Sequence, residues 1–599
     1  MDNAQAKVYP EKSIAVLPFV NMSADPENEY FSDGITEEII NALTKVPGLK
    51  VTARTSAFAF KNKNSDIRAI GQQLGVATVL EGSIRKAKNR IRITAQLIQT
   101  QNGFHLWSEN FDRELDDIFA VQDEISLLIA GQIRENFGHL EIQEHLIHAP
   151  TKNIAAYNLY LKGRYHHLKW DAEGIDTGIA CYRQSIEQDP DFALPYFGIG
   201  YSYAMQGSYR QNEANLQTAE EFLEKGFQLD GQSYLGYFAK ATLSFWGRWD
   251  FEAGQQYYLQ AIALNPSFTE AEEGLVELYT ALGDFDRAMH HTRNILTINP
   301  LSPNHYYTKG HIHYLSGDYH SALECMKAAL RIDPNFLFAI EMAQLCYLHL
   351  KDYDKLRHFQ NDYPQAQRPE ECRALYKLMH PDEPIELNLS ALRSKVREGN
   401  TLFPWHLYLQ VHLGHHDLAL DILEEAVKNR AGQLIQFKSA PLLLPLHAYE
   451  RFQRLAQSAY PVSALPEEEA PGAGQPAGKP LLSEEEVARY RKAISSLLDK
   501  EQLFLDPALG LKTLAEQLGL HPNKLSWLLN EHFGKNFNEF INAYRMESFK
   551  AKALDPANSH LTILGLAYES GFNSKTSFNA FFKKMEGKTP SRWLKSVKK

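Results

Sequence analysis

The residues of this 599-residue chain whose types and spacing suit a recognisable chemistry lie between Gly510 and Lys599. In "GLKTLAEQLGLHPNKLSWLLNEHFG", the residues Asn523, Lys524, Ser526, Trp527 and Asn530 share a helical face, away from Leu525, Leu528 and Leu529. In "LTILGLAYESGFNSKTSFNAFFKKMEGKTPSRWLK", the residues Ser574, Lys575, Thr576, Ser577, Asn579 and Lys583 stand away from Phe578, Phe581 and Phe582. Amides, hydroxyls and ammonium groups on one helix face hydrogen-bond base edges and phosphates when that helix enters a major groove. This chemistry is recognition: no bond is made or broken, and no catalytic residue or cofactor is required.

Each face needs the same scaffold behind it. In the first segment Leu511, Leu514, Ala515 and Leu518 form the apolar stripe of a leading helix, and Gly519 supplies the turn. Pro522 suits the first turn of the following helix, where a missing N–H costs nothing. In the second segment Ile563, Leu566 and Ala567 make the stripe, Gly571 the turn, and Ser574 the N-cap of the next helix. Between them "FNEFINAYRMESFKAKAL" predicts one long amphipathic helix over about 538–554. Charge agrees with this use. Residues 510–599 hold 14 Lys and Arg against 7 Asp and Glu, a net +7, which leaves −18 of the overall −11 for the rest. A basic end on an acidic body is what phosphate binding by one domain predicts. Lys588, Lys595, Lys598 and Lys599 read as phosphate-facing or solvated rather than base-reading.

Two helix-turn-helix units joined by one long helix resemble the DNA-binding domain of the AraC/XylS family, over about 511–594. The segment "GFNSKTSFNAFFKKMEGKTP" is close to that family's signature. The resemblance implies a bacterial-type transcription regulator whose partner is promoter duplex DNA. It also implies that the second helix of each unit enters one of two successive major grooves. Trp527 departs from the family pattern, where a polar or basic residue often stands; stacking on bases, contact with thymine methyls and internal packing are its three alternatives. The family's sugar-binding domain has no counterpart here, so sugar sensing does not carry over.

The body of the chain must position this end. Residues 13–140 read as βαβαβββα, a small α/β layer domain. Asp33 is expected to cap the helix of "DGITEEIINALTKV", with Glu37 and Glu38 as early-turn charges rather than a catalytic carboxylate pair. The stretches "SIAVLPF", "YFSDGITEEII", "LGVATVLEGSIRK", "RIRITAQLI" and "HLWSENFDRELDDIFAVQDEI" resemble the TolB-like (FlgO-like) N-terminal domain of bacterial signalling proteins. That resemblance implies a fold and a signalling context, without a reaction.

Residues 154–457 carry repeats. "LNPSF", "INPLS" and "IDPNF" set Pro266, Pro300 and Pro334 at intervals of 34, with small residues such as Ala288, Gly310, Ala322 and Ala329 at expected helix crossings. This is the tetratricopeptide pattern, and it predicts six to eight stacked helical hairpins offering a groove to a protein or peptide ligand. Residues 466–480, "PEEEAPGAGQPAGKP", read as a flexible linker to a DNA-binding domain over 481–599.

Other chemistries find little support. Cys181, Cys325, Cys346 and Cys372 form no CxxC pair, which suits neither a zinc site nor a disulfide framework. The pairs His166/His167, His290/His291 and His415/His416 point about 100° apart on a helix and rarely share a ligand, so no metal is expected. No run of about 18 apolar residues occurs, so no membrane association is expected, and the start lacks a signal-peptide pattern; the cytosol is the expected compartment. No Walker loop or catalytic dyad is present for an enzyme. The chain reads as multidomain: a small α/β domain, an all-α tetratricopeptide solenoid, then an all-α double helix-turn-helix domain. Sequence-specific regulation of transcription is the leading function, a DNA-tethered interaction scaffold the alternative, and a second copy of the chain a further candidate partner.

Overall fold

The computed structural model describes residues 10–168, 172–210, 212–383, 402–461, 465–466 and 480–597. The first region holds strands β1 (Ser13–Val16), β2 (Val20–Asn21), β3 (Lys50–Val51), β4 (Thr78–Ala87), β5 (Arg90–Gln99) and β6 (His105–Glu114). Its helices are α1 (Glu29–Thr44), α2 (Arg54–Phe58), α3 (Ile67–Leu74) and α4 (Ile118–Phe137). The sheet runs β3-β1-β4-β5-β6, with β2 also on β4. The pairs β1–β3, β1–β4 and β2–β4 are parallel; β4–β5 and β5–β6 form an antiparallel meander. β1 is buried along its whole length, as a central strand joined through helices should be. On β5, Ile91, Ile93, Ala95 and Leu97 turn to the core while Arg90 and Arg92 face water, the period of two that a half-solvated sheet requires.

Two local expectations change. "SIAVLPFV", the segment of the first strand in the expected βαβαβββα order, is two strands rather than one, because Pro18 has no N–H to give the ladder. Asp33 caps nothing: α1 begins at Glu29, so Asp33 lies inside the helix and its carboxylate is held by Lys61 at 2.6 and 2.7 Å. Glu37 and Glu38 lie mid-helix as well. Burial would raise the Glu37 pKa, but Arg164 and Arg54 outweigh it and hold the carboxyl below its usual range. Glu38 is pushed up to about 7, by burial and then by Glu37.

Among the described residues, six consecutive helix pairs run from Ile154–His167 to Tyr353–Asp362, and another joins Trp405–His412 to His416–Lys428. Ala288, Ala322 and Ala329 are fully buried, and a Cβ on Gly310 would run into Met326 and Cys325, so small residues do mark the crossings. The apolar core of the first region continues without a break into the solenoid, from Ile14, Phe31 and Ile125 to Tyr157, Tyr182 and Ile199. The solenoid curls back to meet it again, where Ala53 donates to the Ile298 carbonyl (3.1 Å) and Leu301 to Ser56 Oγ (2.8 Å).

The expected linker falls mostly at 467–479, outside the described residues. Its first residue is held: the Pro466 carbonyl accepts from Gln255 Nε2 (3.1 Å) and Arg287 Nη1 (3.2 Å), beside buried Leu465.

The C-terminal region opens with a helix not anticipated above, Glu484–Asp499, started by a capping box between Ser483 and Glu486. It adds Val487, Ile494 and Leu498 to the core of the first helix-turn-helix unit.

Candidate nucleic-acid interface

The second unit pairs Ile563–Glu569 with Lys575–Glu586 across Gly571, whose φ of +91° is a left-handed turn that favours glycine. Ser574 Oγ accepts from the Ser577 N–H (3.1 Å), so the expected cap is formed. Phe578 and Phe582 are buried under Phe549 and Trp593, and Phe581 is half-buried. Apolar anchorage on that side leaves Lys575, Thr576, Ser577, Asn579 and Lys583 exposed on the other, with Ser574 half-exposed at its start. Lys598 and Lys599 lie outside the described residues.

The first unit pairs Leu511–Gln517 with Pro522–Phe533 across Gly519, at φ +63°. Leu525, Leu528 and Leu529 are fully buried, as their spacing predicts. The face opposite is not open. Asn523, Lys524, Trp527 and Asn530 are all half-buried. Ser526 is only 3% exposed, so its expected place on the open face does not hold in this arrangement; a serine is small enough for its larger neighbours to enclose. Trp527 packs against the unit's apolar core with its ring edge-on to His532 at 5.2 Å, which places it nearest to the internal-packing alternative.

A joint sets the two units relative to each other. The linking helix Phe537–Leu554 starts on a capping box of Asn536 and Glu539. From its middle, Arg545 donates through Nε to the Phe504 carbonyl and through Nη2 to the Asp506 carbonyl, both at 2.8 Å. Burial lowers the Arg545 pKa to about 10. Gly571 packs against the same turn, where a Cβ would meet Leu505 Cα at 2.9 Å and run into the Phe504 carbonyl. Lys584 reaches back to Glu539 (2.5 Å) and Lys550 to Glu586 (2.8 Å). A guanidinium enclosed between two carbonyls is costly to unpair, and this joint fixes the linking helix against the turn at Phe504–Asp506. Sequence reasoning passed over Arg545, although its signal was present: Ile541, Arg545 and Phe549 repeat at intervals of four on the buried face.

The histidine pairs are dispersed: His291 meets Glu272 at 3.2 Å, His415 meets Gln410, and His416 meets Tyr449. Among the described residues no three His, Cys, Asp or Glu side chains are grouped to hold a metal ion. No described helix is long and apolar enough to cross a membrane.

Comparison with known proteins agrees with the geometry by region. The family described as "Helix-turn-helix domain" matches residues 514–596. "HilA/YgeH-like transcriptional regulator, second domain" matches 10–128, and "Anaphase-promoting complex, cyclosome, subunit 3" matches 281–358. Among curated proteins, a "Putative adenylate cyclase 3" of Rhizobium meliloti (strain 1021) is 41% identical over 239 residues, 39% of this chain and 40% of that protein. An "Uncharacterized HTH-type transcriptional regulator" of Staphylococcus aureus (strain COL) is 31% identical over 100 residues, 17% of this chain and 13% of that protein. The chain thus spans at most about two fifths of the length of these two relatives. Solved structures with the repeat fold include YrrB, "a TPR protein with an unusual peptide-binding site", at 19% identity and TM-score 0.22, covering 32% of this chain and 96% of that one. The pilus biogenesis factor PilW stands at 12% identity and TM-score 0.30, covering 35% of this chain and 95% of that one. The C-terminal region is similar to a helix-turn-helix domain, carried behind tetratricopeptide-like repeats and a domain similar to that of HilA/YgeH-like regulators.

Proposed function

We propose that this chain is a sequence-specific, DNA-binding regulator of transcription, acting in the cytosol. The observation that carries the reading is the second unit. Five polar or cationic side chains, Lys575, Thr576, Ser577, Asn579 and Lys583, stand exposed on one helix over a buried phenylalanine base, within residues matched as a helix-turn-helix domain. Lys575 and Asn579 are the base-edge candidates, Ser574 and Ser577 complete the helix cap, and Lys583 faces phosphate. In the first unit Asn523, Lys524, Trp527 and Asn530 are the corresponding candidates once their face is free. The first region and the solenoid receive the signal. The TolB-like reading of residues 13–140 rests on the segments quoted for it and adds a signalling context.

The solenoid's partner is a protein or peptide. What favours this is the capture of Pro466, whose backbone carbonyl is gripped by Gln255 and Arg287. Beside it lies an open cleft of about 570 Å³ lined by Leu282, Phe285, Lys438 and Tyr460. No catalytic role is assigned. The relative named as a cyclase shares only 40% of its length with this chain, which leaves most of that protein without a counterpart here. A homodimer would present two such DNA-binding ends to paired half-sites.

The test is footprinting of the full chain on genomic fragments, followed by titration on the protected site. Affinity should fall steeply with salt as phosphate contacts release counterions. Full engagement should protect two major grooves about one helical turn, ~34–36 Å, apart on one face. Sequence-indifferent binding together with a stable protein partner would replace this reading by the scaffold.

A further inference from the structure

The first unit is held by another part of the molecule. Asn523 Oδ1 accepts from Arg134 Nη1 (2.6 Å) and from the Ile142 N–H (3.4 Å), while its Nδ2 donates to the Ile142 carbonyl (3.1 Å). Glu135 Oε1 accepts from the Leu511 N–H (3.1 Å) at the start of the unit's leading helix. Asn536 Nδ2 donates to the Asn136 carbonyl (2.8 Å) and Asn538 Nδ2 to Asn136 Oδ1 (3.0 Å). Asn530 Oδ1 lies so close over Gly138 that a Cβ there would stand 2.8 Å from it. Residues 134–142, the last turn of α4 and the segment after it, therefore grip both helices of the unit and the start of the linking helix.

We propose that this end of α4 is a docking surface for the chain's own first helix-turn-helix unit, and that docking withholds the unit from duplex DNA. The inference rests on the DNA-binding function proposed above. An asparagine reads adenine with its amide oxygen and nitrogen together, and in Asn523 both are already engaged. Asn530 faces protein as well. Because Arg545 and Gly571 tie the two units into one body, the second unit cannot be separated from the first to bind alone in an unrestricted way. Docking therefore limits both.

The contact is built to be left. It is polar and hydrogen-bonded, in the manner of interfaces that open, rather than a continuation of either apolar core. It also carries a desolvation cost: burial lowers the Arg134 pKa to about 10 and raises that of Glu135, and among the described residues Arg134 Nε has no hydrogen-bond partner. The opposite end of α4 meets the solenoid. The Phe119 ring lies 4.5 Å from that of Tyr157, and Gln122 Nε2 lies 3.5 Å from the Tyr157 hydroxyl. A helix of 20 residues is about 30 Å long. α4 is thus a bar between the first solenoid helix and the first unit, along which a solenoid ligand can act.

The test uses the full chain and a duplex carrying the footprinted site. Arg134→Ala should raise amide exchange across residues 511–530 without DNA, tighten duplex binding about tenfold, and extend protection to a second groove; losing one or two hydrogen bonds of this kind gives that factor. Glu135→Ala, which removes the acceptor of the Leu511 N–H, should do the same to a lesser degree and carries the test if Arg134→Ala unfolds. Unchanged exchange in both variants overturns the docking. Raised exchange with unchanged affinity for the specific duplex overturns the withholding while leaving DNA binding in place. Raised exchange with no duplex binding by wild type or variants, even at low salt, removes the DNA-binding function and the withholding with it.

Discussion

The two helix-turn-helix units are built on one plan and meet opposite fates. In both, a glycine turn joins a short leading helix to a helix anchored by three large apolar side chains. In the second unit the remaining face is open to solvent; in the first it is covered. The side chains explain why covering was affordable on one and not on the other. The first unit offers amides at Asn523 and Asn530, neutral groups that satisfy a protein backbone as readily as a base edge. The second offers Lys575 and Lys583, whose ammonium groups are expensive to bury without a paired carboxylate. The first unit thus meets protein through the amide of Asn523, while the ammonium groups of Lys575 and Lys583 in the second stay in solvent.

The largest expected effect is on the second unit's foundation. Phe578→Ala removes a ring packed against Phe549, Phe572 and Phe582, and should cost about 3–5 kcal/mol. Chemical unfolding followed by exchange should show residues 563–597 opening while the first unit stays docked. Simultaneous release of the first unit would mean that the second holds the dock in place, and the contrast would lose its local meaning.

A change remote from both units asks whether the contrast depends on the solenoid. Glu341 is fully buried, accepting from the Gln367 N–H (2.6 Å) and Gln344 Nε2 (3.1 Å), and burial pushes its pKa up to about 7. The folded protein therefore keeps a proton that the unfolded chain loses above about 4.5, so stability falls as pH rises from there to about 7 and is level beyond. Glu341→Gln should match wild type near the lower limit and exceed it by about 3 kcal/mol at the upper one, in thermal or urea unfolding. Exchange of residues 511–530 should not follow this titration. If it does, the covering of the first unit is coupled to the solenoid core.

Base reading comes next. On the specific duplex, Asn579→Ala should cost about 1–3 kcal/mol in the full chain and much less on random DNA. Asn523→Ala loses a base contact but also breaks the dock, and these oppose each other; the net change should stay under about 1 kcal/mol. Equal losses from the two substitutions would show that the first unit is free in solution. The smallest effect belongs to Lys583→Ala, which should weaken specific and random duplexes alike and lower the salt slope by about 1.

Much of this was legible in the residues. The 34-residue proline spacing gave the repeat register, and Ala288, Gly310, Ala322 and Ala329 fall at the crossings that register demands. Gly519, Gly571 and Ser574 take the turn and cap positions their types suggest. The failures have physical causes. Asp33 looked like a cap because Asp before an apolar run usually is one, yet the helix starts a turn earlier and the carboxylate answers to Lys61, 28 residues away. Ser526 looked outward because it is polar, and was enclosed because it is small.

What the sequence determined by itself is local and periodic: most of the helices and strands, the glycine turns between them, the apolar face of each, and the basic end as the one suited to phosphate. These follow from patterns spanning a few residues to one repeat. What only the tertiary structure decided is pairing at long range. Examples are the core shared by the first region and the solenoid, the seating of Arg545 on Phe504, and the meeting of Asn523 with Arg134, 389 residues apart. An amide or a guanidinium satisfies many partners equally well, so its chemistry does not name the one it will find; that is fixed only when the packing of larger apolar surfaces brings two distant segments together.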